Sequence, residues 1–131
     1  LTDLTDPKEL HVANRFSSLA LDAVNVESQA SFWTAALGYR VAELFDGGIS
    51  LAPAEGVAGP PIDIVPVPDA KTAKLRLHMD LVPDGCTQEE EVERLLALGA
   101  VRADVGQAPD VPWVVLADPE GNEFCVLSAR D

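Results

Sequence analysis

The residues best suited to chemistry lie on one face of a short alternating segment in the middle of the chain. Arg76, His78 and Asp80 alternate there with leucine and methionine. Because successive side chains of a β-strand point to opposite faces, this spacing places the three polar groups together. We predict His78 as the catalytic residue of a cleft, with Arg76 and Asp80 contacting its ligand. The alternative is a structural histidine held by Asp80, by Asp22 or by a backbone carbonyl.

Three residues elsewhere in the chain can join this cleft. Asp22 lies on the inward face of the first predicted strand, where a carboxylate needs a partner such as Arg76, His78 or water. A salt bridge and a substrate contact are both open for it. Trp113 can stack on a planar ligand, pack in the core or cover a dimer contact. Cys125 can be a ligand-contacting thiol or a small buried apolar side chain.

The first half of the chain predicts a strand, a helix and three more strands. Asn25 or Ser28 caps the helix, whose apolar residues follow helical spacing, and Gly38 ends it. The predicted elements are strand 17–24, a helix reaching residue 37, and strands 39–45, 49–52 and 62–67.

The second half repeats this order. Residues 75–82 alternate as a strand, and the apolar members Leu75, Leu77, Met79 and Leu81 are expected to be buried. A capping box over residues 87–90 opens a helix that runs to residue 98. Strands are predicted at 100–104, 113–117 and 123–127, with a turn at 118–122.

The repeated order indicates a duplicated unit and an α+β fold. Hairpin turns outnumber crossover helices, which favours sheets rich in antiparallel pairs. A chain of 131 residues fits one domain. We assign residues 1–16 to an N-terminal extension and 17–131 to a single domain, with module one at about 17–70 and module two at about 71–131.

Composition excludes several classes of partner. The net charge is −13, so this acidic surface repels phosphate backbones and anionic lipid, and we expect neither nucleic acid nor membrane as a partner. The two cysteines, Cys86 and Cys125, are too few for a disulfide framework. They indicate free thiols in a reducing compartment, which predicts a cytoplasmic location.

Two motifs and one strand resemble a known family. Phe32-Trp33 followed by Leu37-Gly38, and the sequence DPEGN at 118–122, resemble the paired signatures of the glyoxalase / bleomycin-resistance / dioxygenase (vicinal oxygen chelate) superfamily. Residues 74–81 resemble the opening strand of the second module in its glyoxalase-like branch. The resemblance runs from about Ser17 to Ser128. It implies two tandem βαβββ modules that form a curved mixed sheet around a central cleft, and commonly a homodimer.

The resemblance also implies where a metal would bind. In metal-dependent members, the opening and closing strands of each module supply His, Gln or Glu ligands. Here the first position falls on Ser18 or a near neighbour, and the second on Asp63 or Val65, with the register favouring Val65. The third is His78, and the fourth is Cys125 in place of the usual Glu. Open catalytic sites commonly need three protein ligands. We therefore expect no firmly held metal or other cofactor; if a divalent metal binds, His78 and Cys125 are its ligands.

These observations leave three functions open. The leading hypothesis is a small-molecule-binding protein whose cleft works without a firmly held metal. In this respect it resembles the antibiotic-sequestering members of the superfamily. The second is a metal-dependent lyase, isomerase or dioxygenase that uses His78. The third is a non-catalytic interaction module. Whether the protein is an enzyme is left open by the sequence.

Overall fold

The βαβββ unit occurs twice in the chain. A computed structural model describes residues 13–129, and over these residues it contains two helices and eight strands. In chain order they are β1 (Leu19–Ala23), α1 (Val26–Leu37), β2 (Tyr39–Phe45), β3 (Gly48–Pro53), β4 (Ile62–Pro66), β5 (Asp80–Leu81), α2 (Gln88–Leu98), β6 (Val101–Arg102), β7 (Val114–Ala117) and β8 (Glu123–Val126). The predicted α+β fold of tandem βαβββ modules is confirmed. Residues 1–12 of the predicted N-terminal extension lie outside the described residues.

Each module builds its own mixed sheet. Within the described residues, the strand orders are β1-β4-β3-β2 in module one and β5-β8-β7-β6 in module two. The opening strand of each module pairs in parallel with the closing strand, and the other pairs are antiparallel. The strands therefore form two four-stranded sheets and not one continuous sheet.

Both helices begin and end where the sequence predicts. Asn25 caps α1 by accepting a hydrogen bond from the backbone of Ser28 at 3.1 Å, and Gly38 ends it in the left-handed conformation. Thr87 and Glu90 form the reciprocal capping box of α2. Among the described helices, none has the length and apolar character that a membrane span requires.

The core joins the two modules through aromatic side chains. Trp33 on α1 is fully buried, and its ring meets that of Phe124 on β8 at 5.1 Å in an edge-to-face arrangement. Phe32 also contacts Phe124, at 6.1 Å between ring centroids. One apolar cluster therefore spans both modules.

A buried carboxylate in the DPEGN turn ties the same elements together. Asp118 is 2% exposed and accepts hydrogen bonds from Gln29 at 2.5 Å and from the Trp33 indole at 3.0 Å. The Asn122 side chain and backbone donate to it as well. These donors replace the water that the carboxylate loses on burial. The turn that carries the family resemblance thus has a structural role between modules.

Two charged side chains extend this inter-module contact. Glu120 accepts hydrogen bonds from the two backbone amides just before α1, at 2.8 and 2.7 Å. Arg94 on α2 donates to the carbonyls of Ala35 and Ala36 near the end of α1, each at 3.0 Å. Both ends of α1 are therefore held by module two.

The predicted strand at 75–82 is wrong over most of its length. Only Asp80–Leu81 is a strand, because the chain bends at Arg76 and Leu77 and the amide of Leu75 bonds the Glu123 carboxylate instead of a strand. The bend breaks the alternation, so Leu77 is 77% exposed and not part of the core. The strand predicted at 100–104 is likewise reduced to Val101–Arg102.

Candidate functional site

A pocket of about 420 Å³ lies on the face of the module-two sheet that carries Cys125. Its polar lining consists of the side chains of Lys74, His78, Asp80, Gln107, Glu123 and Cys125. Its apolar wall consists mainly of Trp113, Val115, Phe124 and Leu127. Pockets of this size that combine an apolar wall with a few polar groups are typical small-molecule sites.

His78, Asp80 and Cys125 form a compact cluster in this pocket. His78 Nδ1 lies 3.2 Å from Asp80 Oδ1, and one ligand atom from each of the three residues lies within 4.8 Å of the others. The side chains of His78 and Asp80 are 43% and 49% exposed, whereas Cys125 is buried. The carboxylate can orient the imidazole, as such partners do in metal and catalytic sites.

The backbone of β8 holds Cys125 in place. Its amide donates to the carbonyl of Met79 at 2.9 Å, and the residue pairs with Asp80 on one side and Val115 on the other. Burial raises the pKa of the Cys125 thiol, the Asp80 carboxylate raises it further, and Lys74 lowers it. The neutral thiol is therefore favoured, which argues against a thiolate nucleophile in the metal-free chain.

Glu123, one of the residues that line the pocket, forms an ion pair. Lys71 Nζ lies 2.5 Å from a carboxylate oxygen of Glu123, whose side chain is only 11% exposed. Burial acts to raise the pKa of Glu123, but the hydrogen bonds from Lys71 and from the Leu75 amide outweigh it and lower that pKa. Glu123 is thus a covered structural carboxylate. Lys71 reaches Glu123 from the segment that links the two modules.

The structure brings together four of the six predicted site residues. His78, Asp80, Trp113 and Cys125 line the same pocket. Asp22 lines a separate crevice of about 540 Å³ instead.

Arg76 does not line the His78 pocket either. It lies exposed at the bend that precedes His78. The prediction of one pocket shared by Asp22, Arg76, His78 and Asp80 is therefore wrong, since it required an unbroken strand. Lys74, which the sequence did not single out, is a cation of the pocket in its place.

Module one carries a different cluster at the matching positions. Ala20 pairs with Asp63 as Asp80 pairs with Cys125, and Val65 pairs with Asp22. If Ser18 and His78 are equivalent, as the family resemblance implies, Asp63 and not Val65 is the counterpart of Cys125. The expected register is therefore corrected by two residues.

The polar groups of the module-one cluster form hydrogen bonds with one another. Asp63 accepts hydrogen bonds from Ser18 at 2.9 Å and from Ser50 at 2.6 Å. Both contacts are partly buried. Two hydroxyl donors stabilise the carboxylate without a ligand.

The donor set in module two fits a divalent metal better than the sequence indicated. Asp80 adds a third donor to His78 and Cys125. Three protein ligands are what an open catalytic site commonly provides. Strand alternation predicts that Asp80 shares a face with His78, but the family's ligand positions do not include Asp80.

Comparisons with known proteins agree with this architecture. Residues 18–127 match the family described as a glyoxalase-like domain. No curated protein matches the sequence. The resemblance predicted from the motifs is confirmed.

Solved structures share the fold at low identity. A glyoxalase/bleomycin resistance protein/dioxygenase family enzyme from Burkholderia phytofirmans PsJN is 18% identical, with a TM-score of 0.62 over 84% of this chain and 94% of that chain. The fosfomycin resistance protein FosX from Listeria monocytogenes, complexed with Mn(II) and sulfate ion, is 16% identical, with a TM-score of 0.67 over 88% and 90%. A hypothetical protein from S. aureus is 16% identical, with a TM-score of 0.64 over 88% and 94%.

Proposed function

Because the chain belongs to the glyoxalase-like domain family, we propose that its module-two pocket binds a small molecule. The observation that carries this proposal is the meeting of His78, Asp80 and Cys125 with an apolar wall in a pocket of about 420 Å³. On the matching face of module one, the polar side chains are hydrogen-bonded to one another instead. Sites with a few convergent polar groups in an apolar concavity are the usual ligand sites of proteins.

The lining favours a planar or oxygen-rich ligand. Trp113 keeps 39% of its surface exposed beside the pocket, so its ring is available for stacking. Lys74 offers a cation, and His78 can donate to a ligand oxygen. Both groups favour an anion locally, against the negative net charge of the chain.

A ligand screen on metal-stripped protein tests the proposal. A panel of small carboxylates, phosphonates and vicinal diols would be screened by thermal shift. At least one compound should stabilise the wild-type chain, and Trp113→Ala and His78→Ala should lose that stabilisation. Asp22→Ala is the matched control, because Asp22 lines a different crevice. Binding would lie elsewhere if Asp22→Ala lost the stabilisation equally, or if the compound stabilised both pocket variants as strongly as the wild-type chain.

The second candidate is a metal-dependent lyase, isomerase or dioxygenase. It is favoured by the three donor groups of His78, Asp80 and Cys125, which lie within 4.8 Å of one another. A divalent ion held there would supply Lewis-acid activation of a ligand oxygen. Lys74 and Trp113 would then orient that ligand in the pocket. Metal-dependent turnover lost in His78→Ala, with folding retained, would support this candidate over simple binding.

We further propose that the protein is a homodimer. Edge strands with exposed apolar side chains support this: on β2, Val41 and Leu44 are 52% and 72% exposed, and on β6, Val101 is 57% exposed. Pairing would cover such edges, which otherwise invite aggregation. Sedimentation should give about twice the chain mass of 13.9 kDa at micromolar concentration. A monomer alone under those conditions would contradict the proposal.

A cytoplasmic location is also proposed. Cys86 and Cys125 are both free thiols in the structure, which suits a reducing compartment. Rapid alkylation of cell extracts should trap both thiols in reduced form. Oxidised thiols in freshly trapped protein would argue for another compartment.

A further inference from the structure

The three donors at the base of the pocket differ in chemical softness. His78 offers an imidazole nitrogen, Asp80 a carboxylate oxygen and Cys125 a sulfur. Thiolate ligands favour Zn²⁺ and other thiophilic ions, whereas carboxylates suit Mg²⁺, Ca²⁺ and Mn²⁺. We infer that this cluster selects a thiophilic divalent ion, Zn²⁺ foremost, and that Cys125 sets the selectivity. The inference rests on the proposed function in that it takes the same pocket as the functional site.

The geometry is close to that of a zinc site. Bond lengths of about 2.0–2.3 Å in a tetrahedral site place ligand atoms roughly 3–4 Å apart. The donor atoms here lie within 4.8 Å of one another, so small side-chain rotations close the remaining gap. His78 and Asp80 have the freedom for this because nearly half of each side chain is exposed.

Cys125 is the fixed member of the set. Its backbone is hydrogen-bonded between β5 and β7, so the thiol keeps its position while the two exposed side chains adjust. Three protein donors would leave a fourth position open toward the pocket. The same pocket can therefore hold the ion and a small molecule together.

Preference for Zn²⁺ over Mn²⁺ is not by itself diagnostic. Most nitrogen, oxygen and sulfur sites follow that order. The informative quantity is how the ratio of the two affinities changes when only the sulfur is replaced. The family resemblance places Glu at the position of Cys125 in metal enzymes, so Cys125→Glu is the matched exchange of a soft donor for a hard one.

Cobalt spectroscopy on the reduced 131-residue chain tests the inference directly. Co²⁺ substitutes for Zn²⁺ and shows a thiolate-to-metal charge-transfer band in the near ultraviolet. The wild-type chain should develop this band with one equivalent of Co²⁺, and Zn²⁺ should displace it. Cys125→Ser should lose the band, whereas Cys86→Ser, which removes the other thiol, should keep it.

Affinities measured by competition complete the test. His78→Ala should weaken Co²⁺ binding by more than about 100-fold. Loss of a residue that only hydrogen-bonds to a metal ligand already lowers metal affinity by about 10–100-fold. Cys125→Glu should lower the ratio of Zn²⁺ to Mn²⁺ affinity by at least about tenfold, the low end of the same range. Circular dichroism of each variant separates loss of a ligand from loss of folding. Because the His78 side chain is 43% exposed, His78→Ala is the variant with the lowest risk of disturbing the fold.

Three results would overturn the inference. They are a wild-type chain without the charge-transfer band, a band that depends on Cys86 and not on Cys125, and an affinity ratio unchanged in folded Cys125→Glu. The screen on metal-stripped protein is independent of all three. A small molecule that binds through Trp113 while the cobalt band is absent would refute the metal selectivity and leave the proposed function standing.

Discussion

The two modules share one scaffold and differ on the sheet faces that carry Asp63 and Cys125. In module one, Asp63 receives hydrogen bonds from Ser18 and Ser50, so its charge is stabilised within the sheet. In module two, the matching face carries His78 and Cys125, with Asp80 beside them at the pocket. Hydrogen bonds within module one thus satisfy the polar groups on its face, whereas the matching face of module two borders an open pocket.

This difference shows where a duplicated fold can hold a function. Both modules need their buried faces to pack against the helices, and those faces are apolar in each. The opposite face is free of that requirement. A partly buried cluster that is fully hydrogen-bonded there adds stability, whereas a cluster left exposed for binding is gained at the expense of stability.

The largest expected effect comes from the packing that both modules share. Phe124→Ala should destabilise the protein by about 3–5 kcal/mol, because Phe124 is 1% exposed and its removal leaves a cavity beside Trp33. Leu77→Ala should change the free energy of unfolding by less than about 0.5 kcal/mol, because Leu77 is 77% exposed. Urea denaturation measures both. A large loss of stability in Leu77→Ala would instead support the unbroken strand that the sequence alone predicts.

The next effect concerns the connection between the modules. Asp118→Ala should cost about 3 kcal/mol, since Gln29, Trp33 and Asn122 all lose their acceptor in a buried site. Asp118→Asn, which keeps one acceptor oxygen, should cost less. Denaturation curves for the two variants provide the comparison. A neutral Asp118→Ala would show that the DPEGN turn does not hold the modules together.

A smaller effect separates the two polar clusters. Asp63→Ala should cost about 1–2 kcal/mol, because two partly buried hydroxyls lose their acceptor. Asp80→Ala should cost about 0.5 kcal/mol or less, since its side chain is 49% exposed. The free energies of unfolding of the two variants, measured at the same pH, give the difference. If Asp80→Ala proves the more costly change, the module-two cluster is structural rather than a binding site.

The smallest effect depends on pH. The pKa of Glu123 is lowered from its ordinary value of 4.5, so its contribution to stability is present above that value and is lost as the pH falls through the folded-state pKa. Lys71→Gln should therefore cost about 0.5–1 kcal/mol at neutral pH and nothing once Glu123 is protonated.

Glu93→Gln is the control for this ion pair. The Glu93 contact to Arg102 is 4.0 Å long and both side chains are well exposed, so no measurable change is expected. Thermal unfolding across the acidic range follows both variants. A constant Lys71→Gln effect at every pH would rule out the ion pair as its source.

The sequence predicted the scaffold well because its signals are local. Capping residues such as Asn25 and Thr87, and the glycine that ends α1, mark the helices wherever the rest of the chain lies. The motifs Phe32-Trp33 and DPEGN carried the family resemblance, and both prove to be core or inter-module contacts. These features depend on a few neighbouring residues, which a single sequence displays.

The site was predicted only in part because it depends on contacts between distant segments. His78, Asp80, Trp113 and Cys125 were identified by residue type and by family position, and the structure brings them together. The bend at Arg76 comes from a side chain of β8 bonding the backbone near residue 75, which alternation does not reveal. The counterpart position in module one similarly required the β1–β4 register.

Chemical-shift mapping of a compound from the ligand panel on isotope-labelled protein shows directly whether the ligand occupies the module-two pocket. We predict that perturbed signals cluster around His78, Asp80, Trp113 and Cys125, and that signals of Ser18, Ser50 and Asp63 stay in place. Perturbations centred on the module-one cluster or on the crevice of Asp22 would contradict it.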